Sequence, residues 1–324
     1  MKIVVLDGYT LNPGDLTWDG FKEIGDIIVH DRVSYKLDEQ DQVVEKVGDA
    51  EIVLTNKTPI AREVLDKMPN VRYIGVLATG YNVVDIEAAK ARGITVTNIP
   101  TYGTYAVAQM TFALLLEICH HVGSHNEMVK DGLWNRNPDW CFWKFPLIEL
   151  ADKTLGIIGY GRIGKAVGKI GLAMGMKVLV HDQYAMDIDD LADVQFVELD
   201  QIFQESDVIS LHCPLTDSTK GIINRTSIDK MKESAIIINT SRGPLIVEQD
   251  LADALNEGRI YGAAVDVVSH EPIEENNPLL SAQKCIITPH ISWAPKESRV
   301  RLMQAAVENL KKYLEGNPIN VVNP

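Results

Sequence analysis

Short apolar runs alternate with polar, helix-compatible stretches along the first hundred residues. The polar stretches include Asp41–Val47 and Ile86–Arg92. The apolar runs, each long enough for one strand, are Ile3–Leu6, Ile27–Val29, Ile52–Leu54, Tyr73–Leu77 and Thr95–Thr97. Strands that alternate with helices predict a parallel sheet covered by helices.

The same alternation continues from residue 151 to residue 290. The predicted strands there are Leu155–Ile158, Val178–Val180, Val208–Leu211, Ala235–Ile238, Ala263–Val267 and Cys285–Ile287. Prolines follow four of them, and a proline cannot continue a central strand, so the chain turns out of the sheet there. In a doubly wound sheet these turns share the carboxyl edge, where ligands bind. We therefore expect the polar residues of these turns to converge: Asp182, His212, Arg242, Asp266, Glu271 and His290.

The two halves are joined by a predicted crossover at Pro100–Gly103 and a long apolar helix over Thr104–Val122. His125–Leu150 is polar but aromatic-rich and holds three of the five tryptophans. Such a segment favours a symmetric dimer interface, although its aromatics could also pack on their own domain. A last helix, Lys296–Tyr313, is expected to return to the first half.

These elements predict an α/β protein with two parallel-sheet domains, Rossmann-like or flavodoxin-like, and a cleft between them. Residues 1–100 with 294–324 would form a discontinuous substrate-binding domain. Residues 101–293 would form a dinucleotide-binding domain that includes a dimerisation segment, 104–150. At 324 residues the chain is long enough for two full cores.

The amino-acid composition limits the classes of partner that this protein is expected to bind. A formal net charge of −14 argues against nucleic acid and against anionic membranes, because both require a basic face. The four cysteines form no C-x-x-C pair, which suits a reducing compartment and indicates neither disulfides nor a metal site. The N-terminus lacks the apolar region of a signal peptide, and Ala106–Leu116 is too short to span a bilayer. We therefore expect a cytoplasmic protein.

The most informative motif follows the strand Leu155–Ile158. Gly159 permits a tight turn, Gly161 removes a side chain that would block a pyrophosphate, and Gly164 lets strand and helix pack closely. The following helix would offer free N–H groups and a partial positive charge to the anion. The next strand ends in Asp182, where an acid accepts hydrogen bonds from the adenosine ribose. The alternative is a plain strand-to-helix turn with chance glycines, but Asp182 favours a dinucleotide site.

Three of the converging residues match the needs of hydride transfer to a 2-oxo acid. The Arg242 guanidinium can bind a carboxylate by donating two parallel hydrogen bonds. His290 can donate a proton to the carbonyl oxygen near neutral pH. Glu271 can bind the second ring nitrogen of His290 and favour its protonated form. Each residue alone could be structural, and their joint placement beside a dinucleotide fold favours catalysis.

At this point the sequence resembles the D-isomer-specific 2-hydroxyacid dehydrogenases over essentially its whole length. The resemblance is carried by the glycine motif with Asp182 and by the segments Asn239–Pro244, His270-Glu271-Pro272 and Thr288-Pro289-His290. It implies a catalytic set of Arg242, Glu271 and His290, substrate contacts at Thr79, Gly80, Arg242 and His290, and a homodimer. It implies that NAD(H) contacts the three glycines and eight further residues: Thr104, Arg162, Ile163, Asp182, Pro214, Thr240, Asp266 and Trp293.

Within that family the chain looks most like the glycerate dehydrogenases, also called hydroxypyruvate reductases. The resembling stretches are Leu77–Asn82, Tyr102–Thr104 and Cys141–Trp143. A reductase of glyoxylate or pyruvate, or an NAD(H)-sensing corepressor-like binding protein, stays open as an alternative. Asp182 would repel a 2′-phosphate, so the sequence favours NAD(H) over NADP(H).

Overall fold

The computed structural model describes residues 1–183 and 193–324, which fold into two compact units. The first unit is Met1–Gly103 together with Trp293–Pro324, and the second unit is Thr104–Ser292. The first unit is therefore discontinuous in sequence, and Trp293 is the first residue of its second segment.

The first unit holds a five-stranded sheet in which every pairing is parallel. Its strands are β1 Lys2–Val5, β2 Asp26–Val29, β3 Ile52–Thr55, β4 Tyr73–Val76 and β5 Thr95–Thr97, in the order β2-β1-β3-β4-β5. This is the flavodoxin-like order of doubly wound sheets. The helices between them are α1 Gly8–Leu11, α2 Asp19–Lys22, α3 Asp41–Val47, α4 Arg62–Leu65 and α5 Ile86–Ala91.

The second unit holds a seven-stranded parallel sheet in the order β12-β11-β10-β9-β6-β7-β8. Its strands are β6 Thr154–Ile158, β7 Lys177–His181, β8 Val194–Phe196, β9 Val208–Leu211, β10 Ile236–Asn239, β11 Gly262–Val265 and β12 Cys285–Ile287. The strand order reverses between β6 and β9, as in a Rossmann fold. Its helices are α6 Thr104–His120, α7 Val122–Lys130, α8 Arg162–Ala173, α9 Leu199–Glu205, α10 Arg225–Ile228 and α11 Glu248–Asn256. The last helix of the chain, α12 Lys296–Leu314, belongs to the first unit. The predicted fold class of two parallel-sheet α/β domains is thereby confirmed.

Successive residues of a strand supply the two faces of each core. In β10, Ile236 and Ile238 pack with Phe112 of α6, whereas Ile237 packs with Leu251 of α11 on the opposite face. Both faces of the sheet are therefore covered, which explains why the strands are continuous apolar runs rather than alternating ones.

The predicted long helix at about Thr104–Val122 is α6, Thr104–His120. The backbone at His121 is left-handed, with φ of 49°, and this residue separates α6 from α7 at a bend of 54°. A left-handed residue cannot continue a right-handed helix, so α6 ends there, and α7 is a further helix that the apolar pattern does not predict. Within the described residues no single helix is long and apolar enough to cross a membrane, and only this bent pair passes that test together, by length and composition.

Candidate active site

The glycine turn after β6 shows why each glycine is needed. At Gly159, φ is +96°, and a Cβ atom would lie 2.4 Å from the backbone nitrogen of Cys213. A Cβ atom at Gly164 would lie 2.1 Å from the carbonyl oxygen of Gly159. At Gly161, by contrast, no atom lies within 4 Å of the position of a Cβ. Two glycines are therefore required by packing, and the third leaves open space beside the helix terminus.

Helix α8 begins at this open space. Its N-cap is Gly161, which has no side chain to accept from the first N–H groups of the helix. Asp182 follows β7, and its carboxylate accepts a hydrogen bond from the backbone N–H of Tyr160 at 2.5 Å. The acid is thus held against the glycine turn. An open cradle, a helix N-terminus and an adjacent carboxylate fit the pyrophosphate and ribose of a dinucleotide.

A carboxylate–histidine pair lies at the same edge of the sheet. The His290 Nδ1 and a Glu271 carboxylate oxygen are 2.6 Å apart, and the two side chains are 26% and 34% exposed. The backbone of His290 is left-handed, with φ of 55°. A non-glycine residue in this conformation is uncommon and must be held by its surroundings. The predicted contact between Glu271 and His290 is present in the structure.

Asp266 supplies that support. It is buried at the end of β11, and its carboxylate oxygens accept four hydrogen bonds from the segment that carries His290. The donors are the Thr288 hydroxyl, the Ile291 N–H, and the N–H and hydroxyl of Ser292, at 2.5–2.9 Å. The backbone carbonyl of Asp266 also accepts from the His290 N–H at 2.8 Å. One buried acid therefore fixes the backbone on both sides of His290.

Arg242 follows β10, and its side chain is exposed at the carboxyl edge. One guanidinium nitrogen donates to the Ser241 carbonyl at 2.7 Å. The next residue, Gly243, lies against the backbone of Val268 and Ser269, where a Cβ atom would approach within 2.0–2.4 Å. This contact packs the turn that carries Arg242 directly on the loop that leads to Glu271.

His212 also belongs to the predicted cluster, but its chemistry differs from that of His290. Its Nε2 is 2.8 Å from the Ser210 hydroxyl. Desolvation lowers the pKa of His212 to about 3, so this imidazole is neutral at physiological pH. The two histidines of the predicted cluster therefore differ: His212 is a desolvated imidazole beside a serine hydroxyl, whereas His290 contacts a carboxylate.

The remaining predicted cofactor residues of the second unit lie around the same edge. Thr240 follows β10, and its hydroxyl is 3.2 Å from that of Thr111 in α6. The Pro214 carbonyl, after β9, accepts from the Thr219 hydroxyl at 2.7 Å. Thr104, Arg162 and Ile163 stand at the N-termini of α6 and α8.

The predicted carboxylate-binding residues Thr79 and Gly80 lie in the first unit, just beyond β4. The Thr79 hydroxyl donates to the Ile99 carbonyl at 2.7 Å, and the Asn98 amide donates to the Thr79 carbonyl at 2.7 Å. The turn is thus held by its side chain and carbonyl. Among the described residues, neither the Thr79 N–H nor the Gly80 N–H donates to a protein acceptor.

Glu248 supports the loop that carries Glu271, and the sequence analysis does not identify it. The Glu248 carboxylate, in the first turn of α11, accepts from the Ser269 N–H at 2.7 Å and from the Asn277 amide at 2.9 Å. It therefore braces both ends of the loop that carries Glu271. Its pattern in the sequence is that of any acid at a helix N-terminus, so no local signal distinguishes it.

Comparison with known proteins decides the family. Residues 112–292 match the sequence profile of the D-isomer specific 2-hydroxyacid dehydrogenases, in their NAD binding domain. A hydroxypyruvate reductase of Blautia hydrogenotrophica is 62% identical over 323 residues, which are 100% of both chains. The chain belongs to this family. The second unit is accordingly the NAD-binding domain of a D-2-hydroxyacid dehydrogenase, and the cofactor is NAD(H).

Two further relatives support the assignment of this chain to the dehydrogenase family. A glycerate dehydrogenase of Methylorubrum extorquens is 41% identical over 284 residues, covering 87% of this chain and 88% of the relative. The crystal structure of a D-lactate dehydrogenase from Aquifex aeolicus, complexed with NAD and lactic acid, superposes with a TM-score of 0.84 at 29% identity. That comparison covers 100% of this chain and 99% of the other. The predicted family and reaction class are confirmed, whereas the individual site residues stay predictions.

Proposed function

We propose that this dehydrogenase reduces hydroxypyruvate to D-glycerate with NADH. The observation that carries the chemistry is the 2.6 Å contact between His290 and Glu271 at the sheet edge that bears the glycine turn. The assignment of hydroxypyruvate as the substrate is supported by full-length similarity to a hydroxypyruvate reductase. The sequence resemblance at Leu77–Asn82 supports the same choice.

Each catalytic residue has a distinct task in this proposal. NADH supplies the hydride that adds to C2 of the 2-oxo acid. Arg242 binds the carboxylate through its guanidinium fork, and the resemblance adds the N–H groups of Thr79 and Gly80 as further donors. His290 gives its Nε2 proton to the carbonyl oxygen, because its Nδ1 is occupied by Glu271. The developing negative charge on the oxygen is thereby neutralised as hydride arrives.

A substrate panel tests the proposal directly. NADH oxidation is measured with hydroxypyruvate, glyoxylate, pyruvate, 2-oxobutyrate and 3-phosphohydroxypyruvate. We expect the highest kcat/KM for hydroxypyruvate and a lower value for glyoxylate. Efficient turnover of a phosphorylated or branched acid with hydroxypyruvate poor would overturn the substrate assignment. Binding of NADH without turnover of any acid would favour a cofactor-sensing protein instead.

Glu271→Gln is expected to lower kcat/KM for reduction by about tenfold or more, the equivalent of one lost hydrogen bond to a charged group. The glutamine keeps the shape of the side chain but offers His290 Nδ1 a neutral amide in place of the carboxylate that contacts it at 2.6 Å. NADH binding should be retained, because the change concerns the proton donor and not the cofactor. The measurement is kcat/KM for reduction together with NADH affinity, with Glu275→Gln, an exposed acid of the same loop, as control. Wild-type kcat/KM in Glu271→Gln would show that the pair does not act as a unit.

The Asp182 carboxylate is expected to make NADH the better cofactor. A 2′-phosphate beside this carboxylate would be repelled, since like charges about 4 Å apart in a partly buried site interact by several kcal/mol. Asp182→Asn keeps an oxygen that can accept from the Tyr160 N–H and removes the charge. We expect the ratio of kcat/KM for NADPH to that for NADH to rise by about tenfold or more. A wild-type enzyme that prefers NADPH would contradict this interpretation of Asp182.

We also propose a homodimer formed through residues 104–150. This segment exposes large aromatic side chains, including Trp140 at 87%, Tyr105 at 78% and Trp143 at 65%. Apolar surface of this kind is costly in water and typical of an interface. Light scattering should give the mass of two chains, and Trp140→Ser with Trp143→Ser should shift it towards one. A monomeric wild type would overturn the proposal.

The four free cysteines support a cytoplasmic location for this dimer.

A further inference from the structure

Glu248 clamps the glutamate loop, residues 269–277, at its two ends. One carboxylate oxygen accepts from the Ser269 N–H at 2.7 Å, and the other accepts from the Asn277 side-chain amide at 2.9 Å. Hydrogen bonds to an ionised acceptor are shorter and stronger than those between neutral groups, so this pair of contacts holds both donors in place. The two ends of the loop are therefore tied to the first turn of α11.

The C-terminal end of the glutamate loop is anchored further at Asn277. This residue is buried, and its side-chain oxygen accepts from the Leu279 N–H at 3.0 Å, at the start of a short 3-10 helix, Pro278–Ser281. Its backbone N–H donates to the Glu274 carbonyl at 3.0 Å. The amide that reaches Glu248 thus belongs to a residue that the backbone holds on either side.

The N-terminal end of the loop is anchored by the segment that joins Arg242 to α11. Gly243 packs against the backbone of Ser269, and Glu248, further along the same segment, accepts from the Ser269 N–H. Arg242 has a separate support, because the Asn239 side chain donates to its carbonyl at 2.8 Å. Loss of the Glu248 contacts should therefore loosen the glutamate loop without releasing Arg242.

Glu271 lies between the two anchored ends of the loop. One of its carboxylate oxygens accepts from the Val268 N–H at 3.4 Å, and the other is 2.6 Å from His290 Nδ1. Glu271 and its neighbours His270 and Pro272 are exposed, so burial contributes little to fixing the chain at these residues. The position of the Glu271 carboxylate consequently depends on how firmly the ends of the loop are held.

We infer that Glu248 is a positioning residue for 2-oxo acid reduction, because its clamp on the glutamate loop keeps the Glu271 carboxylate in contact with His290. The inference rests on the proposed function, in which that pair delivers the proton. Glu248 acts through Glu271 in this role. A displacement of about 1 Å at a reacting group can lower turnover by about a hundredfold. The contribution of Glu248 is therefore to kcat rather than to binding.

The first test is Glu248→Ala, which removes both hydrogen bonds of the clamp. We expect kcat for hydroxypyruvate reduction to fall by about fivefold to tenfold. The KM for hydroxypyruvate and the affinity for NADH should change by less than about twofold, because only the transition state loses an interaction. Glu248→Gln keeps an oxygen that can accept from the Ser269 N–H and should recover most of the rate.

Asp250→Ala is the matched control. Asp250 lies in the same first turn of α11 and also accepts from a backbone N–H, that of Arg225, at 2.8 Å. This hydrogen bond leads to α10 and not to the glutamate loop. Asp250→Ala should therefore lower the melting temperature about as much as Glu248→Ala does, while its kcat stays at the wild-type value.

A double-mutant cycle with Glu271→Gln separates positioning from a general loss of stability. Because Glu248 acts through Glu271, the double variant should lie within about twofold of Glu271→Gln alone. Independent effects would instead multiply, to about fiftyfold or more below wild type. Should Glu248→Ala fail to fold, the cycle is run with Glu248→Gln, whose smaller loss should also vanish in the Glu271→Gln background.

Three results would overturn the inference alone. They are a wild-type kcat in Glu248→Ala, losses that multiply in the double variant, and an equal loss of kcat in Asp250→Ala. Wild-type kcat/KM in Glu271→Gln would overturn the proposed role of the carboxylate–histidine pair, and this inference with it.

Discussion

Arg242→Lys is expected to lower kcat/KM for 2-oxo acid reduction by at least about thirtyfold, equivalent to about 2 kcal/mol. The substitution keeps the positive charge, so a purely electrostatic role would survive it. Lysine is a point donor, however, and cannot form the two parallel hydrogen bonds that a guanidinium makes to a carboxylate. Because the loss concerns substrate and not cofactor, NADH binding should be unaffected.

The comparison variant is Arg225→Lys. Arg225 also pairs with a carboxylate, that of Glu257, but it does so on the surface at 2.9 Å, where such pairs contribute little. This variant should retain wild-type activity and thermal stability. If Arg242→Lys matched it, with near-normal kcat/KM, Arg242 would have only a structural role.

His290→Gln is expected to lower kcat for reduction by about a hundredfold to ten-thousandfold, the range typical of a lost general acid. Glutamine keeps a polar side chain in contact with Glu271 but holds no transferable proton at neutral pH. The four hydrogen bonds that Asp266 makes to the surrounding segment do not involve the His290 side chain. The fold should therefore survive, and the melting temperature should stay near that of wild type.

His270→Gln provides the control, because His270 is an exposed histidine beside Glu271 in the same loop. Its turnover should be close to that of wild type. Single-turnover measurements with bound NADH separate the chemical step from product release. A loss of less than tenfold in that step for His290→Gln would show that another group delivers the proton.

The sequence predicts the fold in considerable detail, because buried parallel strands are continuous apolar runs with clear ends. The bounds of β5, β9 and β12 match the predicted ones. Strand β8, Val194–Phe196, is missed because it is short and polar at its centre. The break at His121 is missed because apolar spacing reports which residues are buried and not a single left-handed backbone angle.

The candidate site could be predicted only as a set of strand-end residues. Chain order places His212 and His290 alike after strands, yet desolvation lowers the pKa of the first, whereas a carboxylate contacts the second. That distinction depends on tertiary surroundings, which no local pattern contains. Asp7, a buried acid after β1 that accepts hydrogen bonds from three backbone N–H groups, is missed for the same reason. A buried acid after a strand and a solvated acid in a turn cannot be distinguished by the residues around them in the sequence.

The contact at Gly243 has an evolutionary consequence. Any side chain there would collide with the backbone of Val268 and Ser269 and would force the arginine turn and the glutamate loop apart. A substitution at Gly243 would thus displace Arg242 and Glu271 together. Selection that maintains the placement of either residue is therefore expected to maintain this glycine as well.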